Sequence, residues 1–223
     1  MAKYTRGFDL TAAQAHLTKR DRKLGAWIKR IGPIEPDGWH KPFETVDSLA
    51  RSILYQQLSG KAAATIVGRV EVALASRRLN ADALLSVDET ILRGCGVSGN
   101  KVLALRDLAT RASAGEVPSA RRLTGMDDEA IIEALTAVRG IGRWTVEMLL
   151  MFRLGRPDIL PVDDLGVRKG AQIVDQIDAM PAPKVLAARG EAWGPYRTLA
   201  GLYLWRIVDS AKQAQAPVKR SQD

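Results

Sequence analysis

The chain has 223 residues, a single cysteine and a formal net charge of +8. One cysteine excludes an internal disulfide framework and any Cys-rich zinc or iron–sulfur site, and a hydrophobic content of 46% excludes wholesale disorder. No apolar run approaches the roughly 18 residues of a membrane span, the N-terminal MAKYTRGFDL has no signal-like apolar stretch, and the surplus of Lys and Arg suggests a polyanionic partner. These features describe a soluble intracellular protein of one large domain or two small lobes.

The periodicity is helical almost throughout. Leu17, Leu24, Trp27, Ile28 and Ile31 recur at helical intervals, and that segment ends at Gly32-Pro33. Val46, Leu49, Ile53, Leu54 and Leu58 mark a second helix, with Thr45 or Asp47 as its cap. Further helices are predicted over Lys61–Ala75, Ala81–Ser86 and Glu89–Arg93. Ser98 is placed to cap one running through Lys101, Leu105 and Leu108. Asp127 or Asp128 caps the next, with Ile131, Ile132 and Leu135 as its buried stripe. The remainder are predicted over Arg143–Leu154, Leu165–Val174, Lys184–Arg189 and Tyr196–Lys212. No alternating β-branched run and no Asn-Gly hairpin is present. The expected class is all-α, with about ten helices over residues 1–212. The polar, basic tail from Gln213 to Asp223 is expected to be disordered.

The most informative stretch is Leu135–Gly170, LTAVRGIGRWTVEMLLMFRLGRPDILPVDDLGVRKG. Two amphipathic helices flank Val138-Arg139-Gly140-Ile141-Gly142. Glycines one residue apart let the backbone turn tightly and approach another molecule closely. They precede a helix N-terminus, where free N–H groups and the dipole favour an anion such as a phosphate. Alone, such a turn reads more readily as a plain helix–helix connection, and Asp163 or Asp164 more readily as an N-cap of the helix that follows.

The combination is more specific. Leu135, Val138, Gly140, Ile141, Gly142 and Thr145, with Pro161-Val162-Asp163 about twenty residues on, resemble the signature of the helix-hairpin-helix DNA glycosylase superfamily. The resemblance implies a two-lobed helical fold with a lesion-base cleft between the lobes and no extra N-terminal β-domain. It puts the hairpin lobe at about residues 46–160 and builds the other from the N- and C-terminal helices. The catalytic carboxylate falls at Asp163. Breaking an N-glycosidic bond builds positive charge on the sugar, which a fixed anion stabilises. The same carboxylate can orient or deprotonate the attacking water.

Bifunctional members carry a lysine nucleophile where this chain has Trp144, so a monofunctional, water-using enzyme is implied. A lone Cys95 rules out the four-cysteine iron–sulfur cluster of the endonuclease III-like branch. Gly140–Thr145, Ile53-Leu54-Tyr55-Gln56-Gln57-Leu58-Ser59 with Lys61-Ala62-Ala63, Gly96-Val97-Ser98 with Lys101, and Trp193-Gly194-Pro195-Tyr196-Arg197 with Trp205 are similar to the 3-methyladenine DNA glycosylase II branch. That branch removes alkylated purines such as 3-methyladenine and 7-methylguanine from damaged duplex DNA.

An enzyme acting on a base inside a duplex must flip it out. The resemblance places Gln57 at the wedge that fills the hole. It lines the pocket with Tyr55, Gln56, Trp144 and Trp205, whose aromatic faces suit a cationic base. It adds Met148 and Asp164 to the pocket, where the best-known relative has tyrosines. The tryptophans, Trp205 above all, also fit as core residues; Trp193 and Trp27 read as core, and Tyr196 as either pocket rim or core. Phosphate contacts are expected from Gly140, Gly142, Arg139, Arg143, Thr145, Lys61, Lys101 and Arg168. Carbonyls of Thr136, Val138 and Ile141 are expected to hold a monovalent cation. No other cofactor, no membrane and no second copy of the chain is expected. His16 and His40 form no metal motif. The expected site of action is the cytoplasm, at the nucleoid, if the protein is bacterial, and the nucleus if it is eukaryotic. Two other readings stay open: a non-catalytic hairpin module that only grips DNA, and a glycosylase for oxidised or deaminated bases.

Overall fold

The computed structural model describes residues 6–36, 38–39 and 41–215, and every regular element among them is helical. In chain order the α-helices are α1 (Leu10–Arg20), α2 (Arg22–Ile31), α3 (Thr45–Tyr55), α4 (Gly60–Ala73), α5 (Ala81–Ser86), α6 (Glu89–Gly94), α7 (Gly99–Ser113), α8 (Ala120–Leu123), α9 (Asp128–Thr136), α10 (Arg143–Leu149), α11 (Leu165–Asp175), α12 (Pro183–Gly190) and α13 (Arg197–Gln215). A π-helical turn, Leu150–Leu154, continues α10, and a 3-10 turn, Glu191–Trp193, follows α12. The expected all-α class is observed. The last helix runs three residues past Lys212, and the rest of the expected disordered tail lies outside the described residues, as does His40.

The chain divides into two compact units, Met1–Arg6 with His40–Leu154, and Gly7–Trp39 with Gly155–Asp223. In the first, α7 packs against α3 and α5, and α9 against α10. The apolar positions Leu49, Ile53 and Leu54 of α3 and Leu105 and Leu108 of α7 are fully buried. They recur at helical spacing, so one face of each helix is withdrawn from water. Local capping fixes the helix starts. Ser59 accepts from the Ala62 N–H, Asn80 from Ala83 and Asp88 from Thr90. The cap of α3 is Glu44, which accepts from the Asp47 N–H at 2.8 Å, rather than Thr45 or Asp47. Asp47 is used elsewhere: it accepts from Arg51 and from the Leu79 N–H.

In the second unit the predicted single helix over Leu17–Ile31 is two. Asp21 sits in extended conformation between them and caps α2 by accepting from the N–H groups of Lys23 and Leu24. Asp21 is 6% exposed, and its carboxylate also accepts from the Trp193 indole N–H at 2.7 Å and the Arg189 guanidinium at 2.5 Å. Trp193 is a core residue, as expected, whereas Trp27 is half-buried, with Arg30 over its ring. Tyr196 packs with Phe8 and His16, ring centroids 5.9 and 5.4 Å away. Crossing of α11 and α13 depends on small residues: a Cβ on Gly170 would lie 2.4 Å from the Leu204 carbonyl oxygen, and one on Gly166 would lie 2.7 Å from the Trp205 ring.

Candidate active site

The hairpin of the first unit is built from two successive short backbone bonds. The Val138 N–H donates to Leu135 O and the Ile141 N–H to Val138 O, at 3.2 and 3.1 Å. Gly140 closes the turn with φ of 78°, and a Cβ there would stand 3.2 Å from Ala104 of α7. Both features call for glycine. Gly142 is the N-cap residue of α10, so the first N–H groups of that helix follow the two glycines without intrahelical acceptors.

The side chains expected to meet phosphate divide into two groups. Arg139 and Lys61 are exposed and make no side-chain hydrogen bond or ion pair among the described residues. Arg143 instead forms a bidentate pair with Glu129, at 2.6 and 3.1 Å, and a third contact with Glu147. The carboxylates raise the Arg143 pKa above its ordinary value, so its charge is already matched. Thr145 is 8% exposed and its N–H is bonded to Gly142 O, which removes it from any surface role. Arg168 donates to the Pro181 carbonyl. Lys101 is also engaged within the protein: its ammonium donates to the carbonyls of Leu54 and Gln56, each at 2.8 Å. Burial lowers the Lys101 pKa.

Those carbonyls belong to the turn that carries the expected wedge. The predicted helix through Leu58 stops at Tyr55, and Leu58 is 40% exposed. The chain leaves the helix at Gln56, with ψ of 134°, and Gln57 follows with φ of 57°, a left-handed backbone uncommon for a residue with a Cβ. It is exposed. The Gln56 side-chain amide donates to the Gly140 carbonyl at 2.9 Å and does not line the recess formed by Tyr55 and Met148.

Tyr55 and Met148 line one recess of about 250 Å³ in the first unit, with Ser48, Arg51, Ser52, Leu149, Phe152 and Arg153. Sequence reasoning missed Ser48, Ser52 and Phe152. Their signal is register: positions 48, 52 and 55 share one face of α3, and 148 and 152 recur one helical turn apart. Trp144, at the second position of α10, is 46% exposed and does not line this recess.

In the second unit the tandem aspartates have separate roles. The Asp164 N–H bonds to Pro161 O at 3.0 Å, forming a turn with Asp163 as its third residue. Asp164 caps α11, its Oδ1 accepting from the Val167 N–H at 2.8 Å, and the same oxygen accepts from the Trp205 indole at 2.8 Å. Trp205 is half-buried against Gly166, so its polar edge and one part of its ring hold the start of α11. Asp163 is exposed and has no hydrogen bond or ion pair among the described residues. Of the two carboxylates, it is the one left for an external group. Asp164→Ala is expected to destabilise the protein by about 1–2 kcal/mol through loss of the cap and of the indole's acceptor. Asp163→Ala should change stability by less than about 0.5 kcal/mol. Urea unfolding followed by circular dichroism separates them, and equal losses would contradict this division of roles.

Among the described residues no group of three His, Cys, Asp or Glu side chains is placed to hold a metal ion, and no helix is long and apolar enough to cross a membrane. Cys95 is buried and free.

Comparison with known proteins places this geometry. Residues 50–195 match the family described as HhH-GPD superfamily base excision DNA repair protein. DNA-3-methyladenine glycosylase 1 of Schizosaccharomyces pombe is 33% identical over 88% of this chain and 87% of its own length. The structure is similar to that of a Schizosaccharomyces pombe 3-methyladenine DNA glycosylase solved with abasic DNA, with TM-score 0.79 and 33% identity over 87% of this chain and 95% of that one. It is also similar to a DNA-3-methyladenine glycosidase of Bacillus halodurans, with TM-score 0.81 and 36% identity over 90% of both chains. The hairpin, the glycine-closed turn and the aspartate that follows lie within the matched family region, and the chain belongs to the HhH-GPD superfamily of base excision DNA repair proteins.

Proposed function

We propose that this protein is a monofunctional DNA glycosylase acting as a monomer on damaged duplex DNA, releasing alkylated purines such as 3-methyladenine and 7-methylguanine by hydrolysis of the N-glycosidic bond. The observation that carries the reading is the division of labour in the aspartate pair. Asp164 is bound to α11 and Trp205, while Asp163 presents an unpartnered carboxylate on the matched element. An anion there stabilises the positive charge that grows on the deoxyribose as the base departs, and it takes the proton from the water that adds to C1′. The purine leaves with the bonding electrons, and its own positive charge makes it a good leaving group.

The remaining residues fit that chemistry. Trp144 stands where a strand-cleaving relative needs an amine, so no Schiff base forms and the DNA strand stays intact. Exposed Trp144 and Tyr55 offer aromatic faces to a cationic base. Gln57 fills the gap in the stack, and the hairpin with Arg139 and Lys61 takes the backbone phosphates. No catalytic cofactor is needed. A monovalent cation at the carbonyls of Thr136, Val138 and Ile141 would brace the hairpin; Val138 O suits it, keeping one lone pair after accepting from Ile141.

A hairpin that only grips phosphate has no use for an exposed aspartate, which disfavours a purely DNA-binding role. Substrate class is tested with duplexes carrying one 3-methyladenine, 7-methylguanine, hypoxanthine or 8-oxoguanine, with free base quantified after single-turnover incubation. Release is expected from the two cationic purines and to be slower or absent for the neutral ones. Preferential release of 8-oxoguanine would overturn the alkylpurine assignment.

A further inference from the structure

We propose that Lys101 is a positioning residue for base flipping: its ammonium fixes the Tyr55–Leu58 turn that presents Gln57, and α7 fixes that turn relative to the DNA-gripping hairpin. The inference rests on the proposed function, because it assigns a part in the flipping step.

The placement of Lys101 is unusual on electrostatic grounds. It lies in the first turn of α7, which has no acidic residue to balance it. A cation there opposes the helix dipole, so some other interaction holds it. That interaction is with two carbonyls of another element, Leu54 O in the last turn of α3 and Gln56 O in the turn beyond it. The C-terminal end of α3 leaves unpaired carbonyls and partial negative charge, and one ammonium closes over two of them. The next residue, Gln57, is the one with left-handed φ. Such a conformation persists only where its surroundings impose it. Lys101 on one side and the Gln56 amide bonded to Gly140 on the other supply that constraint.

The same face of α7 carries the hairpin. Lys101, Ala104 and Asp107 are spaced three apart and share one side of the helix. Ala104 meets the Gly140 turn, and Asp107 accepts from the Arg139 N–H at 2.7 Å. Wedge turn and hairpin are thus bolted to one helix. Phosphates gripped by the hairpin set the register of the duplex, and Gln57 is then delivered at a fixed distance from it.

The test compares wild type, Lys101→Met and Gln56→Ala, with thermal melting by circular dichroism as the folding control. Three quantities are read: excision rate at saturating protein, fluorescence of 2-aminopurine beside an abasic-site analogue, and the salt dependence of duplex binding. For Lys101→Met the saturating rate is expected to fall by roughly 10- to 100-fold, the scale set by a misplacement of about 1 Å. The 2-aminopurine response should weaken with it, and the salt slope should not change. Gln56→Ala, which removes only the tether to Gly140, should show the same pattern with smaller losses, and serves if Lys101→Met does not fold. A salt slope shallower by about 0.9 with an unchanged saturating rate would identify Lys101 as a phosphate contact instead. Normal rates in both variants, with wild type active, overturn this role alone; no release by wild type overturns the proposed function itself.

Discussion

Asp163→Asn is expected to lower methylpurine release from duplex DNA by at least about 100-fold, the scale of removing one fixed electrostatic stabiliser from a transition state. The amide keeps the shape of the carboxylate and removes its charge. It can no longer face the developing oxocarbenium ion with an anion, nor accept the water proton. The side chain is exposed and without a partner among the described residues, so the variant should fold and melt like wild type. Binding to undamaged duplex should be as tight or tighter, since a negative charge is removed from a surface that approaches phosphate. The matched control is Asp164→Asn. Its amide oxygen still accepts from Val167 and Trp205, so release should stay near normal. Single-turnover kinetics on one lesion-bearing duplex read both variants. A strong loss in Asp164→Asn with activity kept in Asp163→Asn would reverse the assignment.

The largest expected loss of stability is at Asp21. Asp21→Ala strips the cap from α2, leaves the buried Trp193 indole N–H without its acceptor, and takes one of two carboxylates from Arg189. Breaking a buried charge network of this kind costs about 3 kcal/mol, the low end of the usual range because Arg189 keeps Asp175 at 3.0 Å. The melting temperature should fall by roughly 6–12 °C. The effect has a pH signature. Burial alone raises the Asp21 pKa, but the Trp193 and Leu24 N–H groups and Arg189 outweigh it and hold the carboxyl below its ordinary value. A carboxyl depressed in the folded state adds stability that is complete above its unfolded pKa of about 3.9 and disappears as pH falls through the folded value. The gap in melting temperature between wild type and Asp21→Asn should therefore be constant near neutrality and close below about pH 4. A gap that persists unchanged into acid would show that the carboxylate charge contributes nothing.

What was legible in the sequence is what is local. The glycines of the hairpin, the N-cap Asp164 and the apolar stripe of α9 depend on residues within a turn or two, and the sequence shows them directly. Three features were not legible, each for the same reason. The apolar period from Leu17 to Ile31 runs across Asp21 without a break, and a lone Asp there reads as a surface residue until its local cap and its distant partners Trp193 and Arg189 are seen together. Lys101 reads as one more basic surface residue until the carbonyls of Leu54 and Gln56 meet it. Trp205 reads as core or pocket, and only its indole bond to Asp164 shows it holding the start of α11. Charge also misled at Arg143: Glu147 stands at the i,i+4 spacing of a helical ion pair, but the bidentate partner Glu129 lies fourteen residues away.

The most direct measurement uses duplex DNA carrying radiolabelled methyl groups, incubated with wild type and with Asp163→Asn. Free bases are resolved chromatographically, and strand integrity is followed before and after alkali. Wild type should liberate free methylpurines and leave strands intact until alkali cleaves the abasic sites, while Asp163→Asn should release nothing above the spontaneous rate. Equal release by the two proteins would contradict hydrolysis assisted by the Asp163 carboxylate.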